Sequence, residues 1–434
     1  MPSSTNEKRR RAVIVGGART PFVRAFAEYT HMDAIDLGVE AVRGLLSRTG
    51  VPWDALDAII WSGVVLPPLA PNVGREIALD LGLPPSVEAV TVTRACASGL
   101  QAITDAVAKI ERGEADLIIA GGGDSTSNAA LTMPPSFIRK AGPVVMNSKA
   151  GFFDYLGLIG KISPRRDLLP RQPRVAERST GEVMGEAAEK MAQRNGVGRK
   201  EQDAFTARSH HRAAAAMAAG RFEEEIVPVT PKGRETVYRD TIVRGDTSEE
   251  KLAKLRPVFA RDGTLTAGNS SSLTDGAAGV LIASEEKAKA LGLTPLAAFK
   301  SWAYVGVDPT DQLLMGPALA MPLALERAGM ALDQIDVVDM HEAFSAQVLS
   351  ILKMLASDAF ARERLGRQQA VGDIPPEKLN LYGGSVALGH PFAATGARMV
   401  LTMAHELANT DAKTALLGIC EAGGLGAGAV MEAV

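Results

Sequence analysis

Residues 87–120 read VEAVTVTRACASGLQAITDAVAKIERGEADLIIA and contain a complete strand–helix–strand pattern. Residues 87–92 have the character of a strand. After them, apolar residues recur at helical spacing: Leu100, Ile103, Val107 and Ile110. Residues 117–120 form a short, continuous apolar run, which is typical of a parallel strand buried on both faces. Strand, helix and strand in this order predict a βαβ unit and therefore an α/β fold.

The second half of the chain repeats this plan. The glycine-flanked segment 383–398 leads into a predicted helix, and residues 415–419 have the pattern of the next buried strand. These two elements correspond to the Cys96 segment with its helix and to residues 117–120. We therefore predict two similar α/β halves whose chemically active edges meet.

The composition excludes several classes of protein. The chain has 434 residues, of which 46% are hydrophobic and 22% are charged, and its net charge is −3. The length predicts two or three domain-sized cores, and the apolar fraction excludes a disordered or fibrous chain. The near-neutral charge gives no electrostatic basis for binding nucleic acid. Two cysteines cannot form a disulfide framework, and they favour a reducing compartment.

Neither a secretion signal nor a membrane span is predicted. The basic run at residues 8–11 precedes an apolar stretch of only seven residues, which is too short for the core of a signal peptide. The longest uncharged stretch, residues 58–74, contains three prolines and is shorter than a membrane span. We therefore expect a cytoplasmic location.

Residues 125–262 interrupt the repeating pattern. Within them, residues 139–174 hold eight Lys or Arg against two Asp, which makes a basic patch in a slightly acidic chain. Apolar residues line one side of a predicted amphipathic helix in this patch: Phe152, Tyr155, Leu156 and Ile159. Because long insertions into compact folds are usually functional, we predict an inserted loop domain. The predicted boundaries are 1–124 plus 263–290 for the first half, 125–262 for the loop domain and 291–434 for the second half.

Both cysteines lie where predicted strands end. Cys96 is placed between a predicted buried strand and the first turn of a helix, whose N-terminal partial charge favours a thiolate. From position alone, a small buried cysteine in a tight turn is an equally good interpretation. Cys420 opens the glycine-rich loop 420–428, whose backbone amides can approach a ligand closely. An incidental thiol in a glycine hairpin is the alternative for Cys420.

Two histidines have comparable positions. His390 precedes a predicted helix, and its imidazole can take a proton from a thiol. His341 follows the apolar strand 337–340 and opens another helix. Taken alone, each is better explained as a capping or packing histidine. The other four histidines lack such settings, and we interpret them as surface or packing residues: His31, His210, His211 and His405.

Together, these four side chains form a stronger signal than any of them alone. They all fall at the ends of predicted buried strands, which is the edge where α/β folds bind ligands: Cys96, His341, His390 and Cys420. A thiol with an imidazole partner favours covalent catalysis. A Cys2His2 zinc site is the competing interpretation, but no pair has the short spacing of structural zinc ligands. We therefore predict nucleophilic catalysis and no bound metal.

Several longer motifs, in this order, resemble those of the thiolase family over nearly the whole chain. They are residues 19–22, the segment around Cys96, residues 266–272, 275–278, 341–344 and 389–391, and the loop that follows Cys420. The resemblance implies a five-layered αβαβα fold of two similar halves, with an inserted loop domain that holds coenzyme A. It also implies homodimers or tetramers.

The resemblance implies a role for each candidate residue. Cys96 would be the acylated nucleophile, and His390 would be the base that activates it. Cys420 would be the second acid/base, which exchanges a proton with the acetyl-CoA enolate. His341 would hold a water molecule or polarise the thioester oxygen, and Ser271 matches the serine that contacts the pantetheine arm of coenzyme A.

The chain departs from the commoner family pattern at two positions. Most thiolases have Asn in place of His341, and the His-Glu-Ala-Phe sequence of residues 341–344 resembles the thiolase subunit of fatty-acid oxidation complexes. Ala422 stands where the glycine loop more often has Gly. Its backbone amide, together with that of Cys96, can still form an oxyanion hole.

The implied function is that of a 3-ketoacyl-CoA thiolase of fatty-acid β-oxidation, with coenzyme A as co-substrate and no permanently bound cofactor. The alternatives are a biosynthetic acetyl-CoA acetyltransferase and a non-catalytic acyl-CoA-binding protein of thiolase fold. A ketosynthase would leave Cys420 unexplained. The apolar stripe in residues 152–162 predicts docking to a hydratase/dehydrogenase partner subunit or to a membrane surface, with packing against the loop domain as the alternative.

Overall fold

The computed structural model describes residues 10–170 and 176–434. By their internal contacts, these residues divide into two units. The larger unit holds residues 10–128 and 176–434, and the smaller unit begins at Ala129 and holds the described residues up to 170. Four basic residues of the predicted basic segments lie outside the described residues: Lys8, Arg9, Arg171 and Arg174.

The strands all belong to the larger unit. In chain order they are β1 (Ala12–Arg19), β2 (Val23–Arg24), β3 (Ala58–Ser62), β4 (Glu88–Val92), β5 (Leu117–Ser125), β6 (Thr274–Ser284), β7 (Ala297–Gly306), β8 (Val337–Met340), β9 (Thr414–Glu421) and β10 (Leu425–Ala433).

The helices occur in both units. They are α1 (Ala34–Thr49), α2 (Val73–Asp80), α3 (Ser98–Glu111), α4 (Pro135–Val145), α5 (Phe152–Lys161), α6 (Pro164–Asp167), α7 (Met184–Arg194), α8 (Arg199–Ala218), α9 (Glu249–Ala253), α10 (Glu285–Ala290), α11 (Pro317–Ala328), α12 (Ser345–Leu355), α13 (Asp358–Phe360), α14 (Ser385–Leu388) and α15 (Ala393–Asn409). Helices α4 to α6 form the smaller unit. Single 3₁₀ turns occur at Trp53–Ala55 and Leu332–Gln334, and a π turn at Ala361–Leu365.

The strand order repeats between the two halves. The strands follow the order β4-β3-β5-β6-β1-β7-β10-β9-β8, with β2 paired to β6. Strand β3 is parallel to β4 and β5, and β8 is parallel to β9. Strands β6 and β10 are antiparallel to their neighbours. The order β7-β10-β9-β8 therefore reproduces β1-β6-β5-β3, and a single residue pair, Ile14 with Ala297, joins the two half-sheets.

Alternate strand residues face different helical layers. In β5, Ile118 packs in the core that contains α3 and α15, whereas Leu117 packs in the core that contains α1 and α2. In β9, Leu417 joins the first of these cores, and Leu416 packs with α11 and α12. Because strand side chains alternate between faces, the layers run α1/α2, half-sheet, α3/α15, half-sheet, α11/α12. The predicted α/β class and five-layered arrangement are confirmed.

Glycines bring the two helices of the central layer together. A Cβ added to Gly99 of α3 would lie 2.4 Å from the carbonyl oxygen of Ala393. A Cβ added to Gly396 of α15 would lie 2.7 Å from the backbone nitrogen of Leu100. Only residues without a side chain allow this approach. The crossing therefore determines how far apart the loops that precede the two helices lie.

Strand β4 differs from its prediction. Among the described strands it pairs only with β3, so it is an edge strand, and the side chain of Val90 is 41% exposed. The prediction of a buried strand before Cys96 was therefore wrong, because apolar character alone does not reveal whether a strand has neighbours on both sides. The predicted boundaries of the loop domain stay a prediction.

The smaller unit contains the amphipathic segment that the sequence predicts. Helix α5 leaves Phe152, Phe153 and Ile159 at least 68% exposed, whereas Leu158 is buried. The smaller unit thus presents a wide apolar face. No helix within the two described ranges is both long and apolar enough to cross a membrane.

Candidate active site

Cys96 lies in a tight turn between β4 and α3. The backbone N–H of Arg94 donates to Ser98 Oγ at 2.6 Å, and that hydroxyl donates to the carbonyl oxygen of Ala95, also at 2.6 Å. Ala95 has a positive φ of 41°, which is uncommon for a residue with a side chain. The turn thus holds Cys96 in a strained loop at the start of α3.

His390 lies between α14 and α15, and both of its ring nitrogens have partners. Nε2 is 3.3 Å from Cys96 Sγ, and Nδ1 is 2.7 Å from Thr395 Oγ1. Nε2 can accept the thiol proton only in the tautomer with its proton on Nδ1, which then donates to the Thr395 hydroxyl. Thr395 can accept this Nδ1 proton, and in that arrangement His390 is a base.

The ring of His341 lies against that of His390, with the ring centroids 4.2 Å apart. His341 Nδ1 is 2.8 Å from Ser385 Oγ. His341 Nε2 is buried, and it has no hydrogen-bond partner among the described residues. When the Ser385 hydroxyl donates to Nδ1, the ring proton sits on Nε2. That proton is then available to a substrate oxygen.

Three donor atoms meet at this point in the fold. One atom from each of Cys96, His341 and His390 lies within 4.8 Å of the others. Three such atoms can ligate a transition metal. Covalent catalysis by a thiol with an imidazole base requires the same proximity, so both interpretations fit these distances. The absence of a bound metal stays a prediction, for which a chelator test is given below.

Burial dominates the ionisation of the site. It lowers the pKa of His390 to about 3, with a contribution from Arg398. It also lowers the pKa of His341 well below its usual range, helped by the neighbouring His390. Burial and the charge of Glu421 raise the pKa of the Cys96 thiol to about 12. Burial therefore favours a neutral thiol and neutral imidazoles in the ligand-free site, and it opposes the thiolate that the start of α3 favours.

Cys420 lies at the end of β9 and is 1% exposed. Burial raises its pKa well above the usual range, and the charge of Cys96 adds to this effect, so the two sulfurs are close enough to interact. Backbone N–H groups of Ala422 and of Cys96 itself favour the thiolate of Cys96 by hydrogen bonding. These two amides thus favour negative charge at the Cys96 sulfur, and their role as an oxyanion hole stays a prediction.

Ser271 lies beside the two histidine loops. Its backbone N–H donates to the carbonyl oxygen of Ala343 at 3.0 Å. Isolated β-bridges join its neighbours to these loops: Ser270 with Phe344, and Leu273 with His390. Segment 270–273 therefore runs between the two loops, and Ser271 itself is partly exposed. Its contact with the pantetheine arm stays a prediction.

Sequence reasoning missed the polar partners that orient the site. Thr395 follows His390 by five residues, so a hydroxyl in the first turn of the next helix was a detectable signal. Ser385 is 44 residues from His341, and no local pattern connects them. Asp124 accepts hydrogen bonds from three backbone N–H groups, those of Val64, Val65 and Ala393. Asp124 thereby ties the first half to the start of α15.

Two family profiles match the chain in succession. The profile described as "Thiolase, N-terminal domain" matches residues 12–286, and "Thiolase, C-terminal domain" matches residues 293–433. The chain belongs to the thiolase family. It is therefore an acyltransferase, and its two sequence halves correspond to the two halves of the strand order.

Known thiolases resemble the chain over almost its full length. The 3-ketoacyl-CoA thiolases of Yersinia pestis (strain Pestoides F) and Yersinia pseudotuberculosis (serotype O:3, strain YPIII) are each 45% identical to it over 424 residues, covering 97% of this chain and 97% of the relative. Among solved structures, the acetyl-CoA acetyltransferase of Bacillus anthracis is 30% identical with a TM-score of 0.81. That comparison covers 98% of this chain and 99% of the other.

Proposed function

We propose that the chain is a 3-ketoacyl-CoA thiolase, which uses coenzyme A to cleave a 3-ketoacyl-CoA into acetyl-CoA and a shortened acyl-CoA. The observation that carries this proposal is the 3.3 Å contact between Cys96 Sγ and His390 Nε2. The buried Nε2 of His341, which has no hydrogen-bond partner among residues 10–170 and 176–434, lies beside this contact and supports it further. The likeness to the two Yersinia enzymes supports the substrate class.

In the first half-reaction, Cys96 attacks the keto carbon while its proton passes to His390 Nε2. Because the resting thiol and imidazole are both neutral, attack and proton transfer occur together. The amides of Cys96 and Ala422 stabilise the tetrahedral oxyanion. The bond between the keto carbon and the adjacent carbon then breaks, and its electron pair forms the acetyl-CoA enolate. The N–H groups of His341 and protonated His390 stabilise this enolate until the Cys420 thiol protonates it.

In the second half-reaction, the Cys420 thiolate takes the proton of the coenzyme A thiol. The coenzyme A thiolate attacks the acyl group on Cys96, the Cys96 sulfur leaves, and His390 returns its proton to that sulfur. All protons are restored, and acetyl-CoA leaves before coenzyme A reacts. The cycle therefore has ping-pong kinetics.

Mass spectrometry after brief exposure to 3-ketoacyl-CoAs of several chain lengths tests this function. We expect the acyl mass on the peptide that contains Cys96, and no acyl mass in Cys96→Ala. Labelling elsewhere, or unchanged turnover in Cys96→Ala, would overturn the nucleophile assignment. Turnover confined to acetoacetyl-CoA would instead favour a biosynthetic acetyl-CoA acetyltransferase, and binding without turnover would favour a non-catalytic acyl-CoA-binding protein.

We also propose a cytoplasmic homodimer or tetramer that uses coenzyme A as co-substrate, contacts it through Ser271, and has no permanently bound cofactor. The partly exposed edge strand β4 supports an oligomer, because proteins commonly cover such edges. Light scattering coupled to gel filtration tests the assembly, and a monomer at micromolar concentration would contradict it. A Ser271→Ala variant should raise KM for coenzyme A more than it lowers kcat.

The exposed apolar face of α5 supports a docking role for the smaller unit, either on a hydratase/dehydrogenase partner subunit or on a membrane surface. Phe152 and Leu156 are 75% and 53% exposed on this helix. Replacing both with Ser should reduce copurification with the partner, or binding to liposomes, and leave thiolysis unchanged. If neither binding is affected, the docking role is excluded.

A further inference from the structure

Glu421 is a buried carboxyl group that the mechanism above does not use. It is the last residue of β9, its side chain is fully buried, and neither carboxyl oxygen has a hydrogen-bond partner in the part of the chain that the structure describes. Side chains alternate along β9: Ile419 faces the central helical layer and Cys420 the opposite layer. Glu421 therefore faces the central layer, where Cys96 also packs.

The nearby cation does not pair with this carboxyl group. Arg94 favours the charged form of Glu421 through space. However, Arg94 Nε donates to Gln101 Oε1 at 2.7 Å, and its guanidinium lies 4.4 Å from the centre of the Tyr304 ring. Without a hydrogen bond from Arg94, an ionised Glu421 would be a poorly compensated buried charge.

The other titratable groups around Glu421 are neutral or discourage its charge. Cys96 faces it from the turn before α3, and Cys420 precedes it on β9. Tyr304 faces it from β7, and burial raises the pKa of this phenol. Asp105 of α3 interacts electrostatically with Tyr304, and burial raises the pKa of Asp105 as well. Burial likewise raises the pKa of Glu421 to about 8 despite Arg94, so the carboxyl group is mostly protonated near neutral pH.

We propose that Glu421 is a positioning residue that works as a neutral carboxylic acid, allowing Cys96 and Cys420 to become anions in turn, and that its ionisation at alkaline pH slows the reaction. This inference rests on the proposed thiolase cycle, in which Cys96 sulfur gains charge as it attacks and leaves, and Cys420 is a thiolate between the half-reactions. A protonated Glu421 adds no charge beside them. An ionised Glu421 adds a second negative charge in the same desolvated region and disfavours each thiolate.

The pH dependence of kcat/KM tests the inference in wild type, Glu421→Gln and the control Glu326→Gln. Glutamine has nearly the shape of a protonated glutamic acid but cannot ionise. Glu326 is a 69% exposed residue of α11 whose partner is Arg367, so its replacement changes one surface charge. We expect the ratio of Glu421→Gln to wild-type kcat/KM to rise above about pH 8. The rise should be about tenfold for each unit by which the charge of Glu421 raises the pKa of the reacting thiol in the wild type. The control ratio should stay flat, and a flat ratio for Glu421→Gln would overturn the inference.

Alkylation by iodoacetamide tests the same coupling without turnover, so it separates failure of this inference from failure of the proposed function. Peptide mass spectrometry would follow Cys96 and Cys420 separately. At about pH 9.5 we expect alkylation in Glu421→Gln to be about tenfold faster than in wild type, which corresponds to one pKa unit in the thiol. Equal rates at every pH would overturn the inference. If Glu421→Gln does not fold, Glu421→Asp keeps an ionisable group and should retain the alkaline decline in kcat/KM, and its absence would count against the proposal.

Discussion

The contact between α3 and α15 predicts that Gly99→Ala will separate the catalytic thiol from its base. Gly99 follows Cys96 by three residues, and an added Cβ would lie 2.4 Å from the carbonyl oxygen of Ala393 and 2.8 Å from the backbone nitrogen of Ala397. Both obstacles are backbone atoms of α15, so they cannot rotate away as a flexible side chain would. One helix must therefore move away from the other.

The size of the effect follows from these distances. A carbon–oxygen contact needs about 3.3 Å, so the helices must separate by about 1 Å. The 3.3 Å contact between Cys96 Sγ and His390 Nε2 would then exceed about 4 Å, which is too long for direct proton transfer. A misplacement of about 1 Å costs about a hundredfold in rate, and overpacking costs about 1–3 kcal/mol of stability.

Steady-state thiolysis and denaturant unfolding of Gly99→Ala measure these two effects. The matched control is Gly157→Ala in α5, another helical glycine, where an added Cβ has no atom of the described residues within 4 Å. The control should keep wild-type kcat and lose no stability. If Gly99→Ala kept both kcat and stability within about twofold and about 0.5 kcal/mol of wild type, the helix crossing would not determine the thiol–imidazole distance.

Four further predictions concern the histidines and the absence of a metal. His341→Ala should lower kcat by about 10²–10³ with little change in KM, because it removes one N–H donor from the developing oxyanion, and steady-state kinetics would show this. The low pKa of His390 keeps it a base, so the acid limb of kcat/KM should lie well below about pH 6.5, and a midpoint near that value would contradict the site. The same shift stabilises the fold fully above about pH 6.5, and this contribution should be lost as the pH falls towards 3, which denaturant unfolding at several pH values would measure. Dialysis against a chelator should leave activity unchanged, and a loss restored by zinc would contradict the prediction of no metal.

Local pattern was sufficient for several elements, and it nominated Cys96, His341, His390 and Cys420 as candidate site residues. The apolar spacing in residues 98–111 and 117–120 predicts a helix and a buried strand, and both are present as α3 and β5. The strand-end argument holds for Cys420 in β9 and for Cys96 after β4, but His390 follows helix α14, so the expectation that it ends a strand was wrong. These predictions need only periodicity and strand order, which neighbouring residues encode.

Tertiary structure alone decided how these residues meet and in which state they rest. Cys96 and His390 are 294 positions apart, and the glycines of α3 and α15 bring them within 3.3 Å. Burial favours the neutral thiol of Cys96, and burial also leaves Nε2 of His341 without a hydrogen-bond partner among the described residues. Solvent access and long-range contacts are set by the packing of whole layers. For that reason, no local segment of the sequence reveals the ionisation of the site. Nor does it reveal that the Glu421 carboxyl group is buried without a hydrogen-bond partner among the described residues.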